Sequence, residues 1–184
     1  VNQAATFTQQ PVANTVVCVG NAITLTVATT GGTGVSYQWY KGTTSITGAT
    51  STTYTIASSV VADAGNYTCV VTVASCGTIT SNVANVVVNQ LPAIATQPIG
   101  TTICEGQGIS LSVTATGTGL TYQWYRNGTI AIPSATSATY ADASVTLAEA
   151  GNYTVRVSGA CTPAVTSSIA VINVNQAATF TQQP

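Results

Sequence analysis

The sequence predicts an all-β protein of two tandem domains set within a longer repeat array. Three observations predict it. The first eleven residues, Val1 to Pro11, return unchanged as Val174 to Pro184, at an offset of 173 residues. A weaker periodicity divides that repeat in two and pairs Tyr37-Gln38-Trp39-Tyr40 with Tyr122-Gln123-Trp124-Tyr125. Almost every segment alternates apolar and polar residues with period two, the mark of half-buried strands, and no stretch has a helical period.

Boundaries fall near Gln3, Gln90 and Gln176, where an apolar strand ending precedes a proline-bearing start. The layout expected is the end of a preceding repeat at 1–3, a first domain at 4–90, a second at 91–176, and the first strand of a next repeat at 177–184. The linkers are a few residues long, so successive domains should nearly touch. A chain that closes on its own opening reads as a window cut from a tandem array; the alternative is that the terminal eleven residues swap between separate subunits. Export and anchoring segments are expected elsewhere in a longer polypeptide.

Each strand follows from its pattern. Ile23, Leu25 and Val27 face one way while Thr24 and Thr26 face the other, and Ile109, Leu111 and Val113 repeat this with Ser110 and Ser112. β-branched residues dominate, as pleated surfaces favour. Turn signals separate the strands: Gly31-Gly32-Thr33-Gly34, Gly117-Thr118-Gly119 and the hairpin dipeptide Asn127-Gly128.

Apolar residues make up 45% of the chain but charged residues only 4%, far below the usual quarter. The net charge of −1, with no basic patch, argues against nucleic acid or an anionic membrane as partner. A surface near zero charge has little to oppose self-association, which favours copies of the chain as partners, including lateral bundling. Catalysis has little support. The chain has no histidine, which removes Ser-His triads and histidine–zinc sites, and no carboxylate pair stands out as an acid–base couple. Four acidic residues spread over two domains do not make a calcium joint, so no cofactor or metal is expected. Five cysteines in an all-β chain fit an oxidising compartment better than cytosol.

Tyr37-Gln38-Trp39-Tyr40-Lys41 and Tyr122-Gln123-Trp124-Tyr125-Arg126 resemble strand C of immunoglobulin-like domains, with the tryptophan in the core. Asp63-Ala64-Gly65-Asn66-Tyr67 and Glu149-Ala150-Gly151-Asn152-Tyr153 resemble the approach to strand F, where Tyr67 and Tyr153 hold the tyrosine-corner position. Trp and Tyr are 28 residues apart in one domain and 29 in the other. More narrowly, the chain resembles tandem immunoglobulin-like repeats of very large bacterial surface and adhesin proteins. The resemblance implies two antiparallel β-sandwiches arranged end to end, at the cell surface, with Trp39, Trp124, Tyr67 and Tyr153 in the cores.

The family's inter-sheet disulfide would join Val27 to Cys69 and Val113 to Val155, and three of those four positions are not cysteine. Cys69 is therefore read as a buried free thiol acting as a small apolar residue. Cys18 matches Cys104 before the A–B turn, and Cys76 matches Cys161 at the F–G tip. With immunoglobulin-like topology these pairs lie at opposite ends of a domain, roughly 25 Å apart along strand G at ~3.3 Å per residue. A disulfide spans only about 4.4–6.8 Å between Cα atoms. Bonds between neighbouring domains are therefore expected: Cys18 with Cys161, and Cys76 and Cys104 each with a neighbouring repeat. Pairing within a domain, Cys18 with Cys76 and Cys104 with Cys161, is the alternative.

Tyr40 and Tyr125 alternate outward from the tryptophans and mark a candidate contact face. Asn66, Asn127 and Asn152 stand in Asn-x-Thr sequons. Two functions from different classes follow. One is a structural repeat of an extracellular filament or stalk, stiffened by cystines between domains. The other is an adhesive module that presents its tyrosines or loop tips to a glycan or protein ligand.

Overall fold

The computed structural model describes residues 3–74 and 76–176 and divides the chain into two compact units, 1–89 and 90–184. The expected end of a preceding repeat falls partly, and the expected next strand at 177–184 wholly, outside the described residues.

Unit 1 is built from β1 (Thr6–Gln9), β2 (Asn14–Cys18), β3 (Ile23–Thr26), β4 (Ala28–Thr30) and β5 (Val35–Lys41), followed by β6 (Thr44–Ser45), β7 (Thr53–Ile56), β8 (Gly65–Val73), β9 (Gly77–Thr80) and β10 (Ala84–Asn89). One sheet runs β2-β10-β8-β5-β6, with β9 also on β8; facing it, β1 pairs β4 and β3 pairs β7. Unit 2 repeats the plan with β11 (Ala93–Thr96), β12 (Thr101–Cys104), β13 (Ile109–Ser112), β14 (Thr114–Thr116) and β15 (Thr121–Arg126). It continues with β16 (Ile130–Ala131), β17 (Thr139–Asp142), β18 (Gly151–Ser158), β19 (Val165–Thr166) and β20 (Ala170–Asn175). Its large sheet runs β12-β20-β18-β15-β16, with β19 on β18, and β11–β14 and β13–β17 form the other layer.

The two sandwiches are antiparallel as expected from the sequence, with one parallel pairing added in each. β2 runs parallel to β10, with Asn14 beside Asn85 and Cys18 beside Asn89. β12 runs parallel to β20, from Thr101 beside Ile172 to Cys104 beside Asn175. The reason is the buried Pro11 and Pro98 at the end of each domain's first strand. Proline has no N–H to continue a ladder. The chain leaves one sheet there and joins the other, in the same direction as the domain's last strand.

The alternating apolar residues form two separate cores. Ile23, Leu25 and Val27 meet Trp39, Tyr67, Cys69 and Val71 in one, and Ile109, Leu111 and Val113 meet Trp124, Tyr153, Val155 and Val157 in the other. Both indoles are fully buried, so each N–H needs a partner. Trp39 Nε1 donates to the Ser51 carbonyl and Trp124 Nε1 to the Ser137 carbonyl, both at 2.9 Å. Gln38 and Gln123, which precede them, donate from Nε2 to the Ile46 and Ile132 carbonyls at 2.7 and 2.9 Å. Each glutamine thereby fixes the strand's hairpin return.

The tyrosine corner closes in both units. The Tyr67 hydroxyl donates to the Asp63 carbonyl at 2.7 Å and the Tyr153 hydroxyl to the Glu149 carbonyl at 2.8 Å. Asp63 and Glu149 end single 3₁₀ turns and accept the Val60 and Thr146 N–H at 2.8 and 2.7 Å. Burial pushes the phenols of Tyr67 and Tyr140 up to about 12 and raises Tyr54 and Tyr153 as well. Arg126 opposes the rise at Tyr153.

A phenol whose folded pKa lies above its unfolded value of 10.0 keeps its full contribution to stability below that value. The contribution is lost as pH rises through about 12. Thermal unfolding followed by circular dichroism should therefore show a Tm that falls between about pH 10 and 12. Tyr140→Phe should reduce the fall, and an unchanged Tm across that window would contradict the burial of these rings.

Candidate functional site

The features that distinguish this chain from an ordinary pair of sandwiches are the cysteines at the two ends of each unit. Register places them. Cys18, at the end of β2, sits beside Asn89 as the chain leaves unit 1, and Cys104, at the end of β12, sits beside Asn175 as the chain leaves unit 2. The other two lie where the chain enters. Cys76 is at the tip of the β8–β9 hairpin, its N–H donating to the Val73 carbonyl at 3.1 Å. Val73 packs against Gly32, and a Cβ on neighbouring Gly31 would lie 2.7 Å from the Ala4 carbonyl oxygen. The incoming strand and the Cys76 tip therefore share one end of unit 1.

Unit 2 ties the same end together through a threonine. Thr118 exchanges hydrogen bonds with Gln90: its N–H donates to the Gln90 carbonyl at 3.1 Å, and its Oγ1 accepts the Gln90 N–H at 2.9 Å. The Thr118 carbonyl accepts the Ala160 N–H at 2.8 Å, which holds Cys161 next to the point of entry. A Cβ on Gly117 would come within 2.9 Å of Pro92 Cα, so glycine lets the incoming chain pass close by.

Cys18 and Cys161 are disulfide-bonded, whereas Cys69, Cys76 and Cys104 are free thiols. The bonds within a domain considered from the sequence, Cys18–Cys76 and Cys104–Cys161, are not made. Each would have to span a sandwich from its leaving end to its entering end. Cys69 is fully buried in the first core, opposite Trp39, beside Val27 and Val71. Burial pushes its thiol up to about 11, which leaves about a hundredfold less thiolate at neutral pH than the reference cysteine. Cys104 is exposed and Cys76 half-buried.

Tyr40 and Tyr125 are half-buried, each on the strand next to the edge of its sheet. Tyr40 lies between Ser45 and Thr68, and Tyr125 between Ala131 and Thr154. Away from Tyr40, an open cleft of about 730 Å³ is lined by Lys41, Ser45, Tyr54, Asp63, Asn66 and Tyr67 among others. Its counterpart in unit 2 is about 190 Å³. Most of the polar groups in the larger cleft already serve the fold. Lys41 Nζ donates to the Ala62 carbonyl, Asp63 caps its turn, and Asn66 Oδ1 accepts from Asn85 Nδ2 at 2.9 Å. Arg126 repeats the lysine's role by donating to the Ala148 carbonyl at 3.1 Å. Among the described residues no cluster of His, Cys, Asp or Glu is arranged to hold a metal ion. Among the described residues no helix is long and apolar enough to cross a membrane.

Sequence reasoning did not find Ser81 and Ser167, two buried serines that carry structural weight. Ser81 Oγ accepts the Cys69 N–H at 2.9 Å and donates to the Asn82 carbonyl at 2.9 Å, and Ser167 repeats this with Val155 and Ser168. Each bridges the gap where the last strand breaks into two pieces. The available signal was a serine at the same place in both halves, interrupting the alternation.

The sandwich with a corner tyrosine, a buried tryptophan on its third long strand and a first strand divided between two sheets decides the class. The chain is a tandem pair of immunoglobulin-like domains. An immunoglobulin domain family matches residues 6–72, and the family of Ig-like domains described as CHU_C associated matches residues 90–175. Among solved structures, a three-Ig-domain fragment of titin superimposes with a TM-score of 0.77 at 18% identity, over 100% of this chain and 70% of that one. The two-domain structure of DIP-gamma gives 0.70 at 16% identity, over 92% and 97%. The four N-terminal Ig domains of Dscam1 give 0.65 at 22%, over 95% and 47%. At these identities the likeness is one of fold. No curated protein sequence matches this one.

Placement of the thiols predicts their reactivity. A thiol reagent added to the native chain without reductant should label Cys104 fastest and Cys76 next, with Cys69 labelled only on unfolding. Peptide mass mapping over time checks the order, and native labelling of Cys69 at the rate of Cys104 would contradict it.

Proposed function

We propose that this chain is a structural segment of an extracellular filament or stalk, in which tandem immunoglobulin-like domains are joined at each boundary by a short linker and a cystine. The observation that carries this reading is the placement of one cysteine where the chain leaves each unit and one where it enters. In an array, the leaving end of one domain faces the entering end of the next. The bonded Cys18 and Cys161 are then each other's partners. Cys104 takes the same part toward Cys76 of the following repeat.

Forming that second bond removes two thiol protons and two electrons, which oxidised glutathione accepts as it becomes two reduced glutathiones. Two tethers at a joint, one peptide and one cystine, resist bending and twisting that a single short linker permits. Length then comes from adding repeats, each in contact with its neighbours only. The low charge is consistent with filaments that lie side by side.

The second reading is an adhesive module, which the 730 Å³ cleft lined by Lys41, Tyr54 and Tyr67 favours. Saturable retention on a glycan or protein array would support it over a pure spacer. The filament reading is tested by incubating the chain at high concentration in a glutathione redox buffer. A ladder of covalent multimers should form, collapse on reduction, and disappear in Cys104→Ser. A chain that stays monomeric under oxidising conditions at every concentration would overturn the cystine joint between repeats.

A further inference from the structure

We propose that the open edge of strand β2 on unit 1 is a lateral contact between copies of this chain, in which β2 of one copy pairs antiparallel with β2 of a second about a two-fold axis. β2 ends the large sheet of unit 1: β10 lies on one side of it and, among the described residues, no strand lies on the other. Register shows which backbone groups face out. The Ala13 carbonyl accepts the Asn85 N–H at 2.8 Å, and the Val19 N–H donates to the Asn89 carbonyl at 2.9 Å. Between these bonds β2 follows β10 without a register shift. A parallel ladder uses every second residue of a strand, so Thr15 and Val17 turn their backbone groups to β10, and Asn14 and Val16 turn theirs away from the sheet.

An open edge is a template for another strand, and folded proteins blunt theirs with short strands, bulges, charges or proline. In unit 1, β6 is two residues long and β1 shifts register between Phe7 and Gln9. β2 has none of these devices: its residues, Asn-Thr-Val-Val-Cys, include neither charge nor proline. Its outer face is apolar as well. Val16 is 63% exposed and stands beside the exposed Val87. Val12 and Val83, 66% and 51% exposed, lie just before them, between the Gln10–Asn82 and Ala13–Asn85 hydrogen bonds.

The occupant must be an extended segment with backbone groups at the same spacing and no charge to desolvate. The chain has no charged residue from Val1 to Tyr40 or from Ala64 to Cys104, so the flank that holds β2 and β10 is uncharged throughout. A second copy of the same edge meets both conditions. Centred on Thr15, the pairing sets Asn14 of each copy opposite Val16 of the other. Each facing pair exchanges both backbone hydrogen bonds, and the two Val16 side chains fall on one face. Unit 2 presents a different edge. Thr102 stands where Val16 does, β12 has four residues, and the exposed Glu105 follows it directly. A carboxylate there blunts that edge.

This contact deepens the side-by-side reading and rests on it for its place in a filament, but it is separate from the cystine joint. The test uses the chain carrying Cys76→Ser and Cys104→Ser without reductant, which prevents covalent multimers and leaves the bond of Cys18 and Cys161 in place. Sedimentation equilibrium should show a monomer–dimer exchange with a Kd on the order of 0.1 mM, as for contacts well below the standard interface size. Val16→Lys should weaken it at least about tenfold without lowering Tm, since the side chain is exposed. Thr102→Lys should leave it unaltered. Hydrogen exchange at the Asn14 and Val16 amides should slow as concentration rises, with no such change at Thr15.

The proposal is overturned if the chain stays monomeric at about 1 mM, ten times that Kd. It is equally overturned if Val16→Lys associates as the parent does, if Thr102→Lys abolishes the dimer, or if the Asn14 and Val16 amides exchange at one rate throughout. The dimer and the covalent ladder are read separately. A dimer here with no ladder from the parent chain supports this contact and contradicts the cystine joint; a ladder with no dimer does the reverse.

Discussion

Each unit depends on one buried column of rings. In unit 1 the Trp39 indole lies 6.3 Å from Tyr54, which stacks on Tyr67 at 5.9 Å. In unit 2 Trp124, Tyr140 and Tyr153 repeat the column at 6.2 and 5.7 Å. The three rings belong to β5, β7 and β8, or to β15, β17 and β18, so the column pins both sheets of its sandwich together. Its polar atoms are satisfied: the indole N–H by a carbonyl of the segment before β7 or β17, the corner hydroxyl by the 3₁₀ turn. Among the described residues no buried side-chain nitrogen or oxygen lacks a partner. A core of this kind fixes the entering and leaving ends of the same domain with respect to one another.

The fold was legible in the sequence because two periods coincide. Alternation with period two gave the strands and their faces, and residues such as Ile23, Leu25 and Val27 lie in the core as their pattern requires. The doubled Tyr-Gln-Trp-Tyr and Gly-Asn-Tyr-Thr segments placed two rings of each column, but the middle ring, Tyr54 or Tyr140, was not singled out. The parallel pairing of β2 with β10 was not legible, since alternation reports a strand's face and not its neighbour. Pro11 and Pro98 mark the crossing between sheets, but a proline beside a strand end more often marks a simple turn. Ser81 and Ser167 escaped for a related reason: a serine in a charge-poor, Ser/Thr-rich chain looks like any solvated position until its burial is known.

The cysteines show the same division between what a sequence carries and what only coordinates carry. Spacing paired Cys18 with Cys104 and Cys76 with Cys161 as equivalent positions. In the structure Cys18 and Cys161 are bonded while Cys104 and Cys76 are thiols. Tyr40 and Tyr125, read from the sequence as an outward face, prove half-buried among their neighbours on the sheet. Alternation predicts which way a side chain points, not how much of it the adjacent strands cover.

The whole account turns on covalent locking between adjacent domains. Proteolysis of the non-reduced chain with mass spectrometry of the cross-linked peptides tests it most directly. A species joining the Cys18 peptide to the Cys161 peptide is predicted. Recovery of Cys18 joined to Cys76, or of Cys161 joined to Cys104, would put the bonds inside single domains and contradict it.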